Sequence, residues 1–172
     1  SNIGEADRLI TIFSKQYGKI RVVAKGVRRI TSRRSAHLEL FNQSFFVIHR
    51  GKALDYVSDA QNIVTFPALR GNFELIGHAY FIMELLDRFL AEHQENYILY
   101  THTIELLTAL DANVPDGIDA AKLMHAFKVF LLTHLGFTTH EHHYDQFSID
   151  SFIEGIIERK LRSNRIFAHV VQ

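Results

Sequence analysis

Cysteine is absent from this chain, and proline occurs only twice and glycine nine times in 172 residues. The first absence excludes disulfides, thiolate nucleophiles and thiolate metal ligands, so the fold needs nothing from an oxidising compartment. Scarce proline and glycine, beside 47% hydrophobic and 22% charged residues, exclude a collagen-like chain, a disordered chain and a coiled-coil rod. Long apolar runs are missing as well. The best of them, Ala79 to Met83, is cut by Glu84, far short of the roughly 18–20 residues of a membrane span. The opening residues Ser1-Asn2-Ile3-Gly4-Glu5 carry no basic-then-apolar secretion signal, which fits a cytoplasmic protein. Short catalytic signatures are lacking too. Gly51-Lys52 has no phosphate-loop context, and neither Gly-x-Gly-x-x-Gly nor Gly-x-Ser-x-Gly occurs.

What the chain does have is an uneven distribution of charge. The net charge is zero, yet residues 1–52 hold eleven Lys or Arg against three acids, while the remaining residues hold eight against sixteen. The first part is therefore +8 and the rest −8. The densest stretch, Lys15 to Arg34, contains Lys15, Lys19, Arg21, Lys25, Arg28, Arg29, Arg33 and Arg34 with no acid between them. Like charges this crowded repel one another on an ordinary solvated surface. A phosphate backbone relieves the repulsion and gains counterion release, so nucleic acid is the first expectation.

Periodicity divides the chain into a strand-rich part and a helical part. Arg8 to Phe13 is rich in β-branched and aromatic residues and ends in the polar turn Ser14 to Gly18. In the next strand Ile20, Val22 and Ala24 alternate with Arg21, Val23 and Lys25, which places the two cations on one face, away from the apolar set. Phe45 to Arg50 reads as another strand, and Leu54 to Val57 and Asn62 to Phe66 as a further pair. Strands so short and close predict a small barrel, whose closure removes open edges. Counting one strand too few before Lys25, the reading puts the opening strand upstream of Ser1.

From Pro67 onward the pattern is helical. Helices are expected over Phe73 to Leu90 and over Tyr97 to Leu110, the second with Tyr100, Ile104, Leu107 and Leu110 on its buried face. A third follows Asp119 as a cap and stops at Gly136, and a last one carries Ile149, Phe152, Ile153, Ile156, Ile157 and Leu161 behind Ser148 as a cap. Their apolar stripes predict a bundle core. The expected architecture is α+β: a small β-barrel over residues 1–66, carrying the basic run, and an all-α helical domain over residues 67–172.

Two clusters invite chemistry. His140-Glu-His-His-Tyr-Asp145 approaches the His-Glu-x-x-His zinc motif but has Tyr144 where the second histidine is needed. A loop wrapping a metal with His140, His142 and Asp145 would make a metal-dependent hydrolase; a solvated polar connection is favoured, with no metal and no cofactor expected. The second cluster is the basic segment with its rings. Phe13 and Tyr17 flank Lys15, and single-strand binders combine cations for phosphates with rings for bases. Tyr17, in a polar turn, is the stacking candidate, and Phe13 is expected in the core.

Gly4-Glu-Ala-Asp-Arg-Leu9, Tyr17-Gly-Lys19, Val23-Ala-Lys-Gly-Val-Arg-Arg29, Ser32-Arg33 and Leu38 together resemble the amino-terminal region of the bacterial RecO family of DNA repair proteins. The resemblance continues through Phe66-Pro-Ala-Leu-Arg70, Tyr80, Glu84-Leu-Leu86, Phe127 to Leu131, Leu135-Gly136-Phe137 and Lys160-Leu-Arg-Ser163. It implies an oligonucleotide-binding barrel, a helical domain and a non-enzymatic, nucleoid-associated mediator of recombinational repair that binds single- and double-stranded DNA, anneals strands and promotes recombinase loading. Implied partners are RecR, single-strand DNA-binding protein and, indirectly, the recombinase. Many members carry a cysteine zinc module after the Leu-Gly-aromatic motif; here that place holds Thr138 to His143, and zinc is not carried over. DNA binding is accordingly assigned to Lys15, Tyr17, Lys19, Arg21, Lys25, Arg28, Arg29, Arg33 and Arg34. Rival expectations are an RNA-binding barrel using the same electrostatics, the hydrolase, and a protein adaptor whose acidic helical part docks a basic partner.

Overall fold

A computed structural model of the chain describes residues 1–3, 5–27, 35–112, 119–139 and 144–157. They form an α+β protein, an OB-fold-like five-stranded sheet followed by helices. The chain divides into two compact units, one made of Ser1–Phe66 and Leu90–Tyr97 and the other of Pro67–Phe89 and the residues from Ile98 onward.

In the first unit the strands are β1 (Asn2–Ile3), β2 (Asp7–Ser14), β3 (Gly18–Ala24), β4 (Gln43–His49) and β5 (Asp55–Val64). Their order is β1-β2-β3-β5-β4, with β3 and β5 parallel and the other neighbours antiparallel. That order is a Greek-key arrangement of the kind OB-folds adopt. The sheet begins with the two-residue strand Asn2–Ile3, paired to Arg8 and Asp7. One sequence expectation is corrected. The two strands expected over Leu54–Val57 and Asn62–Phe66 are one, Asp55–Val64, because Asp59–Gln61 continue the ladder opposite β4, Val47 pairing with Asp59 and Phe46 with Ala60, past a register shift at Ser58. The polar run Ser58-Asp59 hid this continuity: Asp59 faces solvent and Ser58 bonds the Val47 carbonyl at 3.2 Å.

Alternation sets the core of the sheet. Ile20, Val22, Val57 and Ala60 are buried, and Ile10, Ile12, Leu38, Phe46 and Ile48 lean on them. Because side chains alternate, Arg21 and Val23 on β3 with Lys25 just past its end, Leu9, Thr11 and Phe13 on β2, and Phe45, Val47 and His49 on β4 point the other way. Phe13 is thus outside this core, on the face of the cations.

The second unit contains α1 (Pro67–Gly71), α2 (Phe73–Phe89), α3 (Tyr97–Ala112, from its second residue on), α4 (Ala120–His134) and α5 (Gln146–Ile156). Asn72 separates the first two: its Oδ1 accepts from the N–H groups of Glu74 (2.9 Å) and Leu75 (3.2 Å), an N-cap for α2. Asp119 caps α4, accepting from Ala121 N–H. The end of α4 is a Schellman arrangement, with Gly136 at φ 79°, its N–H on Thr133 O at 3.1 Å and Phe137 N–H on Leu132 O at 2.8 Å. The cap of α5 is Asp145, whose Oδ1 accepts from Ser148 N–H at 2.7 Å; the expected cap, Ser148, lies inside the first turn and returns its hydroxyl to Asp145 O. These bonds hold the Asp145 carboxyl below its usual range. The buried stripe of α3 is Leu99, Thr103, Leu106, Leu107 and Leu110, rotated from the expected one by the burial of Leu99 in place of Tyr100.

Candidate nucleic-acid interface

The ladder between β2 and β3 decides where the basic side chains stand. Thr11 opposes Arg21 and Phe13 opposes Lys19, so the outward cations of β3 form one line, with Lys19 at the turn end and Lys25 just past the strand. Their surroundings differ sharply along that line.

At the turn end the segment Leu90–Tyr97 returns from α2 and lies beside β3. Lys19 and Glu92 form a parallel bridge, His93 N–H donates to Lys19 O at 2.9 Å, and Arg21 Nε sits 2.7 Å from Glu92 Oε1. Lys19 is consequently only 7% exposed. Gly18 permits the approach. Its φ of +63° is left-handed, and a Cβ built there would lie 1.9 Å from the Gln94 carbonyl oxygen. Lys15 stays exposed, its Nζ 4.9 Å from the centre of the Tyr97 ring, and Tyr17 is 65% exposed in the turn. The uninterrupted basic run in sequence therefore meets an acid in space, supplied from some seventy residues away.

At the other end Lys25 is exposed and its Nζ stands 4.5 Å above the ring of Tyr56 on β5. Tyr56 stacks on His49 of β4, with ring centres 5.5 Å apart and planes 19° apart. Arg50 and Lys52 follow in the β4–β5 hairpin, both exposed. Among the assigned residues the structure thus brings Lys15, Tyr17, Lys19, Arg21 and Lys25 onto β3 and its turn, with Lys19 buried and Arg21 ion-paired. Arg28, Arg29, Arg33 and Arg34 lie outside the described residues.

Removing the carboxylate at position 92 gives a direct measure of this geometry. Glu92→Gln is expected to raise affinity for a single-stranded oligonucleotide about fourfold near physiological salt and to steepen the salt slope by about 0.7, the effect of one added phosphate contact. Anisotropy of a labelled oligomer reads both; an unchanged affinity means Arg21 takes no part.

Three interface features were not assigned from sequence. Glu92 carries no local signal, since its role comes from chain return. Tyr56 and His49 left a readable trace, the alternation Phe45, Val47, His49 along β4, but the stack across strands needs the register. Of the histidine-rich cluster, His140 to His143 lie outside the described residues and Asp145 is engaged as a helix cap; among the described residues no group of three or more His, Cys, Asp or Glu is placed to hold a metal. In the second unit His78 is pushed down by burial, Glu74 opposing and Lys128 reinforcing the shift, and Lys128 Nζ is bound to Asp150 Oδ1 at 2.6 Å. Among the described residues no helix is long and apolar enough to cross a membrane.

Comparison with known proteins agrees with this architecture. A family model described as Recombination protein O N terminal matches residues 1–66, and one described as Recombination protein O C terminal matches residues 70–143. The chain is 34% identical over 134 residues to the DNA repair protein RecO of Pelotomaculum thermopropionicum, covering 78% of this chain and 50% of that protein. Against the DNA repair protein RecO of Roseiflexus sp. it is 37% identical over 137 residues, covering 80% and 47%. With that of Listeria welshimeri it shares 28% over 165 residues, covering 96% and 62%. The chain spans about half the length of the first two of these relatives. With both family regions matched in order, the first on the five-stranded unit and the second on the helices, the chain belongs to the RecO family.

Proposed function

We propose that this chain is a DNA-binding mediator of recombinational repair, gripping the phosphate backbone of single- and double-stranded DNA through the basic surface of its sheet and promoting strand annealing and recombinase loading without catalysing a reaction of its own. The observation that carries the reading is the +8 charge of residues 1–52, the stretch that supplies four of the five strands of the sheet, in a chain whose relatives are named DNA repair proteins. Cations gripping phosphates read no sequence, which suits a protein that must act wherever a strand is exposed. Annealing follows from the same physics. Two strands, each partly neutralised, repel one another less when brought together.

Residues 1–66 act in this reading as the nucleic-acid domain and residues 67–172 as a helical domain that meets RecR and single-strand DNA-binding protein, with the recombinase reached indirectly. DNA-binding roles are proposed for Lys15, Tyr17, Arg21 and Lys25, for the arginines at 28, 29, 33 and 34, and for Lys19 through its placement of the turn. Complementary oligonucleotides mixed with the protein test the idea. Annealing is expected to speed up, and to return to its spontaneous rate near 1 M salt, where charges are screened within about 3 Å. No acceleration at low salt, or acceleration indifferent to salt, contradicts it. A matched ribo-oligomer run alongside separates DNA from RNA as the working polymer.

A further inference from the structure

The outward side of β4 carries Phe45, Val47 and His49 at alternate positions, while Phe46 and Ile48 between them turn to the core. Phe45 is 63% exposed. Val47 beside it is exposed as well, so the outward side of β4 offers a contiguous apolar surface in line with His49. Strand geometry puts Phe45 and His49 roughly 13 Å apart on one face. His49 is also the end of a row crossing three strands, in which Lys25 covers Tyr56 and Tyr56 stacks on His49. Tyr56 is thereby occupied by its neighbours, and His49, exposed, continues the stack outward.

Charge says what covers these rings. Arg50 and Lys52 follow His49 directly in the hairpin, and Lys25 stands at the other end of the row. Protein interfaces are depleted in lysine, whereas sites for single strands pair cations with exposed rings. Asp59 lies opposite Val47 on this face, its Oδ1 accepting from Ala60 N–H at 2.9 Å, while Asp55 and Asp7 near the cations accept from the N–H groups of Gly51 and Gly26. A carboxylate opposite Val47 turns phosphates away from the centre, so bases and not backbone face the sheet at that point.

We propose that Phe45 and His49 stack bases of a single strand while Lys25, Arg50 and Lys52 hold its phosphates. This base track rests on the nucleic-acid reading and sharpens it, adding a preference for unpaired strands to a sheet that otherwise grips any phosphate backbone. Stacking of this kind tolerates every base, so no sequence preference accompanies it.

The test uses the full chain with Phe45→Ala and His49→Ala combined, both at exposed positions. Three fluorescent probes are titrated: a 20-residue oligothymidylate, an abasic sugar-phosphate polymer of the same length, and a 20-base-pair duplex. Loss of about tenfold or more on oligothymidylate is expected, with the salt slope and the affinities for the abasic polymer and the duplex unchanged. Equal binding of oligothymidylate by wild type and variant, or equal losses on all three probes, overturns the proposal. As a second readout that keeps the ring, Phe45→Trp should show indole quenching on adding oligothymidylate and none on adding the abasic polymer; quenching absent with both overturns it too. Failure of the nucleic-acid reading looks different, since then wild type binds none of the three probes.

Discussion

Gly18→Ala is expected to destabilise the N-terminal unit by roughly 2–5 kcal/mol, enough to consume much of an ordinary domain's stability. Two costs combine. Alanine at φ +63° is strained, and its methyl group would sit 1.9 Å from a backbone carbonyl oxygen, that of Gln94, which no rotamer change relieves. Either β3 shifts or the segment Leu90–Tyr97 lifts off, taking the Lys19–Glu92 bridge and the Arg21–Glu92 pair with it. Gly136→Ala is the control. It shares the positive φ, at +79°, but meets nothing within 4 Å, so only the conformational cost of about 1 kcal/mol applies. Urea unfolding of both variants, followed by far-ultraviolet circular dichroism, separates the two contributions; equal destabilisation would mean that the close approach to Gln94 has no energetic weight.

The second large effect is electrostatic. Reversing two charges, Arg28→Glu with Arg29→Glu, is expected to lower DNA affinity roughly 10-fold to 100-fold at physiological salt, alike for every sequence tried. Each lost contact forfeits the counterions it released, a factor of about four on single strands near 0.15 M salt, and each new carboxylate adds repulsion. Losses confined to one sequence would point to base reading and away from phosphate contacts. Unchanged binding would remove these arginines from the interface.

Much of this architecture is legible in the sequence because the signals are local. Alternation of Ile20, Val22 and Ala24 with Arg21 and Lys25 fixes which side of β3 is buried, and Asp119 and Gly136 mark helix ends by backbone chemistry alone. Errors arise where the deciding partner is distant. Ser148 has the right chemistry for a cap, yet Asp145 takes the role because its carboxylate reaches back to the Ser148 N–H. Phe13 has core character, but the register opposite Lys19 turns it to the cationic face. The polar stretch inside β5 looks like a turn until its pairing with β4 is seen. Glu92 is the clearest example: the basic run has no acid within it, and the acid that pairs with Arg21 arrives by chain return after α2. The candidate interface was therefore readable as a set of cations, while its division into a covered end at Lys19 and an open end at Lys25 was not.

Everything functional rests on the cations of the N-terminal unit holding phosphates. The most direct measurement is the affinity of the protein for a fluorescent single-stranded oligonucleotide across a series of salt concentrations. If about five cations each neutralise one phosphate, the logarithm of the binding constant falls against the logarithm of salt with a slope near −3.5. A slope near zero, or no binding at low salt, contradicts the account.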